Sequence, residues 1–403
     1  MKVKINPCKL QGTIKAPPSK SMAHRLLICA GLSQGESEIK NIAFSEDILA
    51  TIDCLKSMGA VITMKKDSVK VRGVSPFNSV ADVFACRESG STLRFFIPLS
   101  MLSEKENLFT GYGRLMQRPM TVYEGIAEEK GITFLKDDRG ITVGGALSSG
   151  RYTVNADISS QFISGLMFAL PFCEGESEIV LEGKISSKSY IDMTAQALSF
   201  FGVTIIWKNE NTLYIKGNQR YTSCDIAAEG DYSNGAFLDA FNYMGSDVTV
   251  TGLSENTLQG DSIYKEYFSL LKDGTPTQDI TNCPDLAPIL MTLASELNGA
   301  VLKGTHRLKI KESDRGQVMK RELSKFGASI DVLDDEIVIH KSILHTPQEA
   351  LYSHNDHRVV MSLAVLCSKY GGEIENAEAV TKSYPDFFEK IKTIGLEVES
   401  NDN

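Results

Sequence analysis

The sequence has little of several things that mark particular classes of protein. Its 403 residues contain one tryptophan, six histidines and eight cysteines. The cysteines form no Cys-x-x-Cys pair and no Cys/His cluster at zinc spacing. We therefore interpret them as reduced thiols and expect neither a metal nor a cofactor.

Basic charge and long apolar runs are also scarce. The formal net charge is -9, which does not favour nucleic acid or an anionic membrane surface as a partner. No apolar run is long enough to span a bilayer. The N-terminal residues 1–7 have neither the apolar core nor the cleavage signal of a secretory leader. We expect a cytoplasmic protein without nucleic-acid or membrane partners.

A repeated pattern indicates how the chain is organised. A chain of this length exceeds one ordinary core, so two domains are expected. A helix end, a glycine and a strand recur, at Gly59, Gly131, Gly202, Gly274, Gly327 and Gly395, with the copy at Gly274 the weakest. Successive glycines are 72, 71, 72, 53 and 68 residues apart. The pattern is common in α/β proteins, but this regularity favours three packed units in each of two similar domains, with hairpins at residues 61–71 and 330–339.

The most informative segment is residues 17–25, Pro-Pro-Ser-Lys-Ser-Met-Ala-His-Arg. The prolines disfavour helix, and Ser19 or Ser21 can cap the helix that follows. Lys20 lies at the helix start, and Arg25 shares a face of the first turn with Ser21. Free N–H groups, a positive helix end and these side chains predict a receptor for phosphate or carboxylate. The alternative is an ordinary capped helix with two solvated basic residues.

Other helix starts combine glycine, hydroxyl and basic residues in the same way. They are residues 87–94 around Gly90, residues 159–165, and residues 356–358, where Asp356 is the expected cap. Each alone is more often an ordinary N-terminus, but together they indicate helix starts that converge on anionic groups. Three further segments stand out: the charged run 308–315, Arg118 before a helix-starting Pro119, and Lys382 in an extended segment before a proline.

These segments together resemble the 5-enolpyruvylshikimate-3-phosphate synthase family over essentially the whole chain. The matching motifs, in the family's order, are Pro-Pro-Ser-Lys-Ser, Gln-Arg-Pro-Met, Ser-Ser-Gln-Phe, Pro-Asp-Leu-Ala-Pro, Lys-Glu-Ser-Asp-Arg, Asn-Asp-His-Arg and Tyr-Pro-Asp-Phe-Phe-Glu. The resemblance implies an α/β fold of two similar domains, each an inside-out α/β barrel of three βαβαββ-type repeats. One domain would be residues 17–228, and residues 1–16 would complete the other, residues 229–403. The active site would lie in the cleft between them.

The resemblance also implies a reaction. The enolpyruvyl group of phosphoenolpyruvate would be transferred to the 5-hydroxyl of shikimate 3-phosphate, with release of phosphate, in the shikimate pathway to chorismate and aromatic amino acids. The enzyme would be a monomeric transferase. Two anionic substrates require a dense cationic lining despite the acidic whole, and the reaction requires groups that move protons.

The resemblance assigns site residues position by position. Asp285 would take the 5-hydroxyl proton, and Glu312, near Lys20 and His357, would serve in proton transfer at the methylene carbon. Lys20 is the third expected catalytic residue. The residues expected to bind shikimate 3-phosphate are Lys20, Ser21, Arg25, Ser159, Ser160, Gln161, Tyr190, Asp285 and Lys311. Those expected to bind phosphoenolpyruvate are Lys20, Gly90, Arg118, Gln161, Arg315, His357, Arg358 and Lys382.

A few positions depart from the family's pattern. Glu88 replaces a common Asn and is expected to pair with Arg87 or Arg94, and Phe95 and Ser189 replace common prolines. Gly90 itself leaves room for glyphosate, the inhibitor that competes with phosphoenolpyruvate in this family, so we predict sensitivity.

Two rival interpretations fit the sequence less well. The enolpyruvyl transferase that acts on UDP-N-acetylglucosamine has a cysteine shortly before its Arg-Pro step, whereas residues 111–119 contain none. A catalytically inactive phospho-ligand-binding protein would lack at least one acid/base residue, but Lys20, Asp285 and Glu312 are all present.

Overall fold

The computed structural model describes residues 1–74 and 81–401; residues 75–80 and 402–403, which fall within the two expected domains, lie outside the described residues. The chain divides into two units. The continuous unit is Pro18–Glu229, and the discontinuous unit joins Met1–Pro17 to Gly230–Asn403. Each unit has its own apolar core. Within the described ranges, no helix is both long enough and apolar enough to cross a membrane.

The helices divide evenly between the units. The described residues form α1 (Lys20–Leu32), α2 (Glu46–Met58), α3 (Gly90–Ser100), α4 (Thr121–Lys130), α5 (Ser160–Ala169), α6 (Lys188–Phe200), α7 (Tyr232–Ala240), α8 (Tyr264–Asp273), α9 (Ala287–Glu296), α10 (Arg315–Ser324), α11 (His357–Tyr370) and α12 (Phe387–Lys392).

The strands are short. They are β1 (Lys2–Ile5), β2 (Gln11–Lys15), β3 (Glu36–Lys40), β4 (Val61–Met64), β5 (Ser68–Arg72), β6 (Val83–Ala85), β7 (Asn107–Thr110), β8 (Thr133–Asp137), β9 (Gly140–Gly144), β10 (Arg151–Asn155), β11 (Ser177–Glu182), β12 (Ile205–Asn209), β13 (Thr212–Ile215), β14 (Ile226–Ala227), β15 (Asp247–Thr251), β16 (Thr277–Asp279), β17 (Ala300–Lys303), β18 (Ser329–Val332), β19 (Glu336–His340), β20 (Leu351–Tyr352), β21 (Gly372–Glu375) and β22 (Val398–Asn401).

Five four-stranded sheets share one pattern, in which two antiparallel strands extend a parallel pair. The continuous unit has the orders β14-β3-β5-β4, β6-β7-β9-β8 and β10-β11-β13-β12. The discontinuous unit has β16-β17-β19-β18 and β20-β21-β1-β22. The expected hairpins are confirmed as β4–β5 and β18–β19. The repeat predicted from the glycine spacing is therefore present in both units.

The sixth described sheet is smaller than the other five. Among the described residues it contains only the parallel pair β15 and β2. Gly274, after α8, has an extended φ of 168°, whereas the other five glycines of the pattern have φ between 66° and 105°, the left-handed region that suits a helix end. The chain runs from Gly274 directly into β16 of another sheet, without a hairpin. This explains both the weak copy and the short interval that follows it.

The N-terminal residues belong to the discontinuous unit. In β1, Val3 pairs with Ile374 of β21 on one side and with Ser400 of β22 on the other. The first strand therefore lies inside a sheet whose other strands come from the end of the chain.

Alternate helices are almost fully buried. In the continuous unit these are α1, α3 and α5, and in the discontinuous unit α7, α9 and α11. Nine of the ten residues of α5 are buried, against three of the ten in α4. A helix enclosed by its own unit has little freedom to move, so the polar residues at its start are held in place by packing.

Candidate active site

The first expected site residues lie at the start of α1. The backbone N–H of Met22 donates to Oγ of Ser19 (3.3 Å), so Ser19 is the cap and Ser21 lies in the first helical turn. Lys20 Nζ donates to Oδ2 of Asp47 at 2.7 Å. Asp47 itself lies in the first turn of α2, so two helix starts of the continuous unit are joined by an ion pair.

Arg25 is a buried cation held by neutral acceptors. Its guanidinium donates to Oγ1 of Thr194 (2.8 Å), to the carbonyl oxygen of Ser21 (2.7 Å) and to that of Tyr190 (3.0 Å). It is 2% exposed, and within the part of the chain that the structure describes no carboxylate pairs with it. Burial lowers the pKa of Arg25 to about 10. The positive charge is therefore held by neutral oxygen atoms of its own unit.

Gly90 begins α3 and lies against two arginines. Ser89 caps the helix by accepting from Thr92 N (3.2 Å). A Cβ atom at position 90 would lie 2.5 Å from Nη1 of Arg118 and 3.5 Å from Nη1 of Arg94. The absence of a side chain therefore allows Arg118 to approach the helix start, in addition to the close approach of a ligand that the sequence predicts.

Gln161 ties the start of α5 to the start of α3. Its Oε1 accepts from Nη1 of Arg94 (2.7 Å), and its Nε2 donates to Oγ of Ser91 (2.9 Å). Ser159 is the cap of α5, and Ser160 is its first residue. We call Gly90, Arg94, Arg118 and Gln161 the Gly90 cluster.

Three local expectations change. Arg87 donates to Glu46 (2.6 Å) and Asp53 (2.8 Å), so its expected pairing with Glu88 is wrong, while a pairing of Glu88 with Arg94 stays a prediction. Pro119 is not the first helical residue. α4 begins at Thr121, two residues later, because the backbone of Met120 is not helical and Met120 takes the cap position.

The third correction concerns Lys382. It ends a 3-10 turn, Ala377–Lys382, instead of lying in an extended segment, because Pro385 restricts only the residue directly before it.

In the discontinuous unit, Asp285 accepts from three cations. It lies in the 3-10 turn Pro284–Leu286, immediately before α9. Its Oδ1 lies 2.7 Å from Nη1 of Arg315 and 3.4 Å from Nζ of Lys311, and its Oδ2 lies 2.9 Å from Nη2 of Arg358. We call these four residues the Asp285 cluster. Burial lowers the pKa of Lys311 below its ordinary value, although Asp285 opposes the shift.

Arg315 is the centre of this cluster. It is 1% exposed and also donates to Oε2 of Glu312 (2.6 Å) and Oδ2 of Asp356 (2.9 Å). Burial alone would lower the pKa of Arg315, but the carboxylates of Asp356, Glu312 and Asp285 raise it above its ordinary value. The guanidinium is therefore permanently charged, and both expected acid/base residues of this unit contact it.

The remaining two expected residues join this region through the segment before α11. Asp356 caps α11, as predicted, by accepting from Arg358 N (3.0 Å). His357 is buried, with Nδ1 4.0 Å from Oδ1 of Asp356. Lys382 Nζ donates to the carbonyl oxygen of Asn355 at 2.7 Å.

Sequence reasoning missed two acidic residues beside these groups. Asp47 follows a serine cap and looks like an ordinary acidic first turn. Asp261 is 3% exposed and accepts from Ser233 Oγ (2.8 Å). Burial, together with the negative charge of Asp285, raises the pKa of Asp261 to about 6. Only a buried environment distinguishes it, and no local pattern in the sequence indicates that environment.

The geometry therefore gives one group of basic and polar side chains in each unit, and comparison with known proteins gives the family. A family model described as EPSP synthase (3-phosphoshikimate 1-carboxyvinyltransferase) matches residues 5–391. This chain belongs to the EPSP synthase family. EPSP synthase relatives include the 3-phosphoshikimate 1-carboxyvinyltransferases of Clostridium novyi (strain NT), at 40% identity over 98% of this chain and 97% of the relative, and of Clostridium kluyveri, at 41% identity over 98% of each.

Solved structures show the same fold. An EPSP synthase from Acinetobacter baumannii superposes with a TM-score of 0.81 at 22% identity, covering 99% of each chain. The two-domain α/β fold expected for the EPSP synthase family is confirmed.

Proposed function

We propose that this chain is a 3-phosphoshikimate 1-carboxyvinyltransferase. It transfers the enolpyruvyl group of phosphoenolpyruvate to the 5-hydroxyl of shikimate 3-phosphate and releases phosphate, in the shikimate pathway. The observation that carries the proposal is the Asp285 cluster in a chain of this family. One carboxylate able to accept a proton is surrounded by Lys311, Arg315 and Arg358, which can bind anionic substrate groups.

We propose the following roles within the discontinuous unit. Asp285 takes the proton of the attacking 5-hydroxyl, and Lys311 contacts the hydroxyls of shikimate 3-phosphate. Arg315, Arg358, His357 and Lys382 bind the phosphate and carboxylate of phosphoenolpyruvate. Glu312 moves the proton at the methylene carbon; its contact with Arg315 supports a position beside that substrate.

We propose matching roles for the continuous unit. Buried Arg25 and the hydroxyl-bearing residues bind shikimate 3-phosphate; these residues are Ser21, Ser159, Ser160 and Tyr190. Gly90, Arg118 and Gln161 contact phosphoenolpyruvate, and Lys20 contacts both substrates and serves in proton transfer. The arginines provide planar, bidentate donors, which suit phosphate and carboxylate. In this proposal residues of both units act on one pair of substrates.

We also propose that the enzyme works as a monomer in the cytoplasm, without nucleic-acid partners. The acidic net charge argues against nucleic-acid partners, and the scattered cysteines fit a reducing compartment.

The test is release of phosphate from phosphoenolpyruvate, measured with shikimate 3-phosphate and, in parallel, with UDP-N-acetylglucosamine as acceptor. We expect release with the first acceptor alone, and its loss in Asp285→Ala. Release with UDP-N-acetylglucosamine alone would assign the chain to the other enolpyruvyl transferase. Release with neither acceptor would refute the proposed reaction.

A further inference from the structure

Glu322 is a buried glutamate of α10 to which the proposed reaction gives no role. It is 1% exposed. Its Oε2 accepts from Nζ of Lys325 (2.8 Å) and from the backbone N–H of Tyr352 (2.9 Å). Its Oε1 lies 2.9 Å from Nε2 of His354. Both carboxylate oxygens are therefore used, and two of the three partners belong to the chain segment just before α11.

That segment has an unusual backbone. His354 and Asn355 are consecutive residues with φ of 50° and 58°. The left-handed region is disfavoured for an L-residue with a side chain, so two such residues in a row persist only where their surroundings hold them. The side chain of Glu322 supplies such a hold, because it bonds His354 directly and fixes the backbone two residues earlier.

The same segment contacts three basic residues of the candidate site. The carbonyl oxygen of Asn355 accepts from Lys382 Nζ (2.7 Å). The carboxylate of Asp356 accepts from Nε of Arg315 (2.9 Å) and from the backbone N–H of Arg358 (3.0 Å). A shift of this segment would therefore move the partners of Lys382, Arg315 and Arg358 together.

We infer that Glu322 is a positioning residue for phosphoenolpyruvate binding: it holds the left-handed segment 354–355 so that Lys382, Arg315 and Arg358 keep their places. This inference rests on the proposed function. Glu322 does not touch the reacting groups in this scheme. It acts through His354 and the backbone, and its effect falls on one substrate.

The primary test is Glu322→Gln, with Glu296→Gln as the matched control. A glutamine has the same shape but no charge and only one acceptor oxygen, so it cannot accept from all three partners of Glu322 at once. Glu296 is also a mostly buried glutamate of the discontinuous unit, bonded to Lys369 and to Tyr370 OH, and neither partner belongs to the segment before α11. We expect Glu322→Gln to raise KM for phosphoenolpyruvate by about 10-fold. KM for shikimate 3-phosphate and kcat should change less than about 3-fold, and Glu296→Gln should leave all three unchanged.

A second pair of variants tests the route through His354. His354→Ala removes the bond to Glu322 and should raise KM for phosphoenolpyruvate as Glu322→Gln does. His354→Gln keeps an N–H donor, so its KM for phosphoenolpyruvate should stay within about 3-fold of the wild-type value. The double variant Glu322→Gln/His354→Ala should be no worse than the more impaired single one, since both changes act on the same contact. If Glu322→Gln does not fold, as judged by thermal unfolding, His354→Ala and His354→Gln decide the matter.

Equal effects on both substrates, or equal effects of the Glu322 and Glu296 variants, would overturn the inference. Failure of the wild type to turn over would instead refute the proposed function. In that case calorimetric binding of phosphoenolpyruvate alone decides the inference, with weaker binding by Glu322→Gln supporting it and unchanged binding overturning it.

Discussion

Nη1 of Arg315 donates to Oδ1 of Asp285 at 2.7 Å. The cation expected to bind phosphoenolpyruvate thus orients the carboxylate expected to accept the proton of shikimate 3-phosphate. Because the same guanidinium contacts Glu312, a change at Arg315 would disturb both proton-transfer groups of this unit. A substitution of Asp285 separates proton transfer from phosphoenolpyruvate binding more clearly than a substitution of Arg315 does.

Asp285→Asn should lower kcat more than it weakens substrate binding. The amide keeps the side-chain shape but cannot take a proton, and the loss of a general base typically costs about 10²–10⁴-fold. KM for phosphoenolpyruvate should change less than kcat, since Arg315, Arg358 and Lys311 keep their charges. Phosphate release gives both constants. Asp334→Asn, at a 93% exposed side chain paired with Lys309, is the control; retention of more than about a tenth of kcat by Asp285→Asn would contradict its role as the base.

Gly90→Ala should weaken phosphoenolpyruvate binding without unfolding the protein. The added Cβ would meet the mobile end of Arg118, 2.5 Å away, so the guanidinium moves and the helix does not. KM for phosphoenolpyruvate should rise by roughly 10-fold, the effect of one lost charge-assisted hydrogen bond. Glyphosate should compete with phosphoenolpyruvate in the wild type and inhibit this variant less. Gly125→Ala, with open space around the added Cβ, is the control, and an unchanged KM in Gly90→Ala would refute the argument.

Arg25→Met should bind shikimate 3-phosphate poorly and yet be at least as stable as the wild type. Arg25 is a buried charge without a carboxylate partner in the described ranges, and apolar replacement of buried charges is often neutral or stabilising. Its hydroxyl partner Thr194 also bonds Ser164 (2.8 Å), so it keeps a partner in the variant. Calorimetry should show affinity for shikimate 3-phosphate lower by about 10–100-fold, with an unchanged or higher Tm. A variant that loses stability and keeps its affinity would show that Arg25 is structural.

Asp261 should make stability depend on pH. Its pKa is raised by burial from the ordinary value of 3.8 to about 6, so the folded protein binds this proton more tightly than the unfolded chain. The resulting stability is fully present below about pH 4 and is lost as the pH rises through about 6. One pH unit corresponds to about 1.4 kcal/mol, so the effect amounts to at most about 3 kcal/mol.

The measurement is denaturant unfolding of wild type and Asp261→Asn from pH 4 to pH 7.5. Titrating groups away from this site are common to both proteins, so the difference between the two unfolding free energies reports Asp261 together with its interaction with Asp285. We expect this difference to move in favour of the asparagine as the pH rises. A difference that does not vary with pH would contradict the raised pKa.

Local features of the chain were predictable because short-range rules determine them. The caps Ser19 and Asp356 follow from hydrogen bonding within one turn, and Gly59 or Gly327 from the left-handed conformation that ends a helix. Gly274 is the exception, because it does not end its helix in the left-handed region. Its extended φ is set by the strand that follows, so the residues next to it do not indicate it.

Relationships between distant residues were not predictable from spacing. Asp285, Arg315 and Arg358 meet because α9, α10 and α11 pack together, and Glu322 reaches His354 across 32 positions. The family resemblance supplied the names of most site residues, but not which carboxylate each cation contacts. Burial, which distinguishes Asp261 and Arg25 from ordinary charged residues, is a property of the packed unit.

The place of β1 has a consequence for synthesis on the ribosome. Residues 1–17 are synthesised long before the partners of β1 in the sheet, which are β21 and β22. The continuous unit, Pro18–Glu229, can therefore be completed while residues 1–17 still lack the strands with which β1 pairs. Synthesis of β21 and β22 therefore sets the moment at which the sheet of β1 can form, and a product truncated before these strands would carry an unpaired β1.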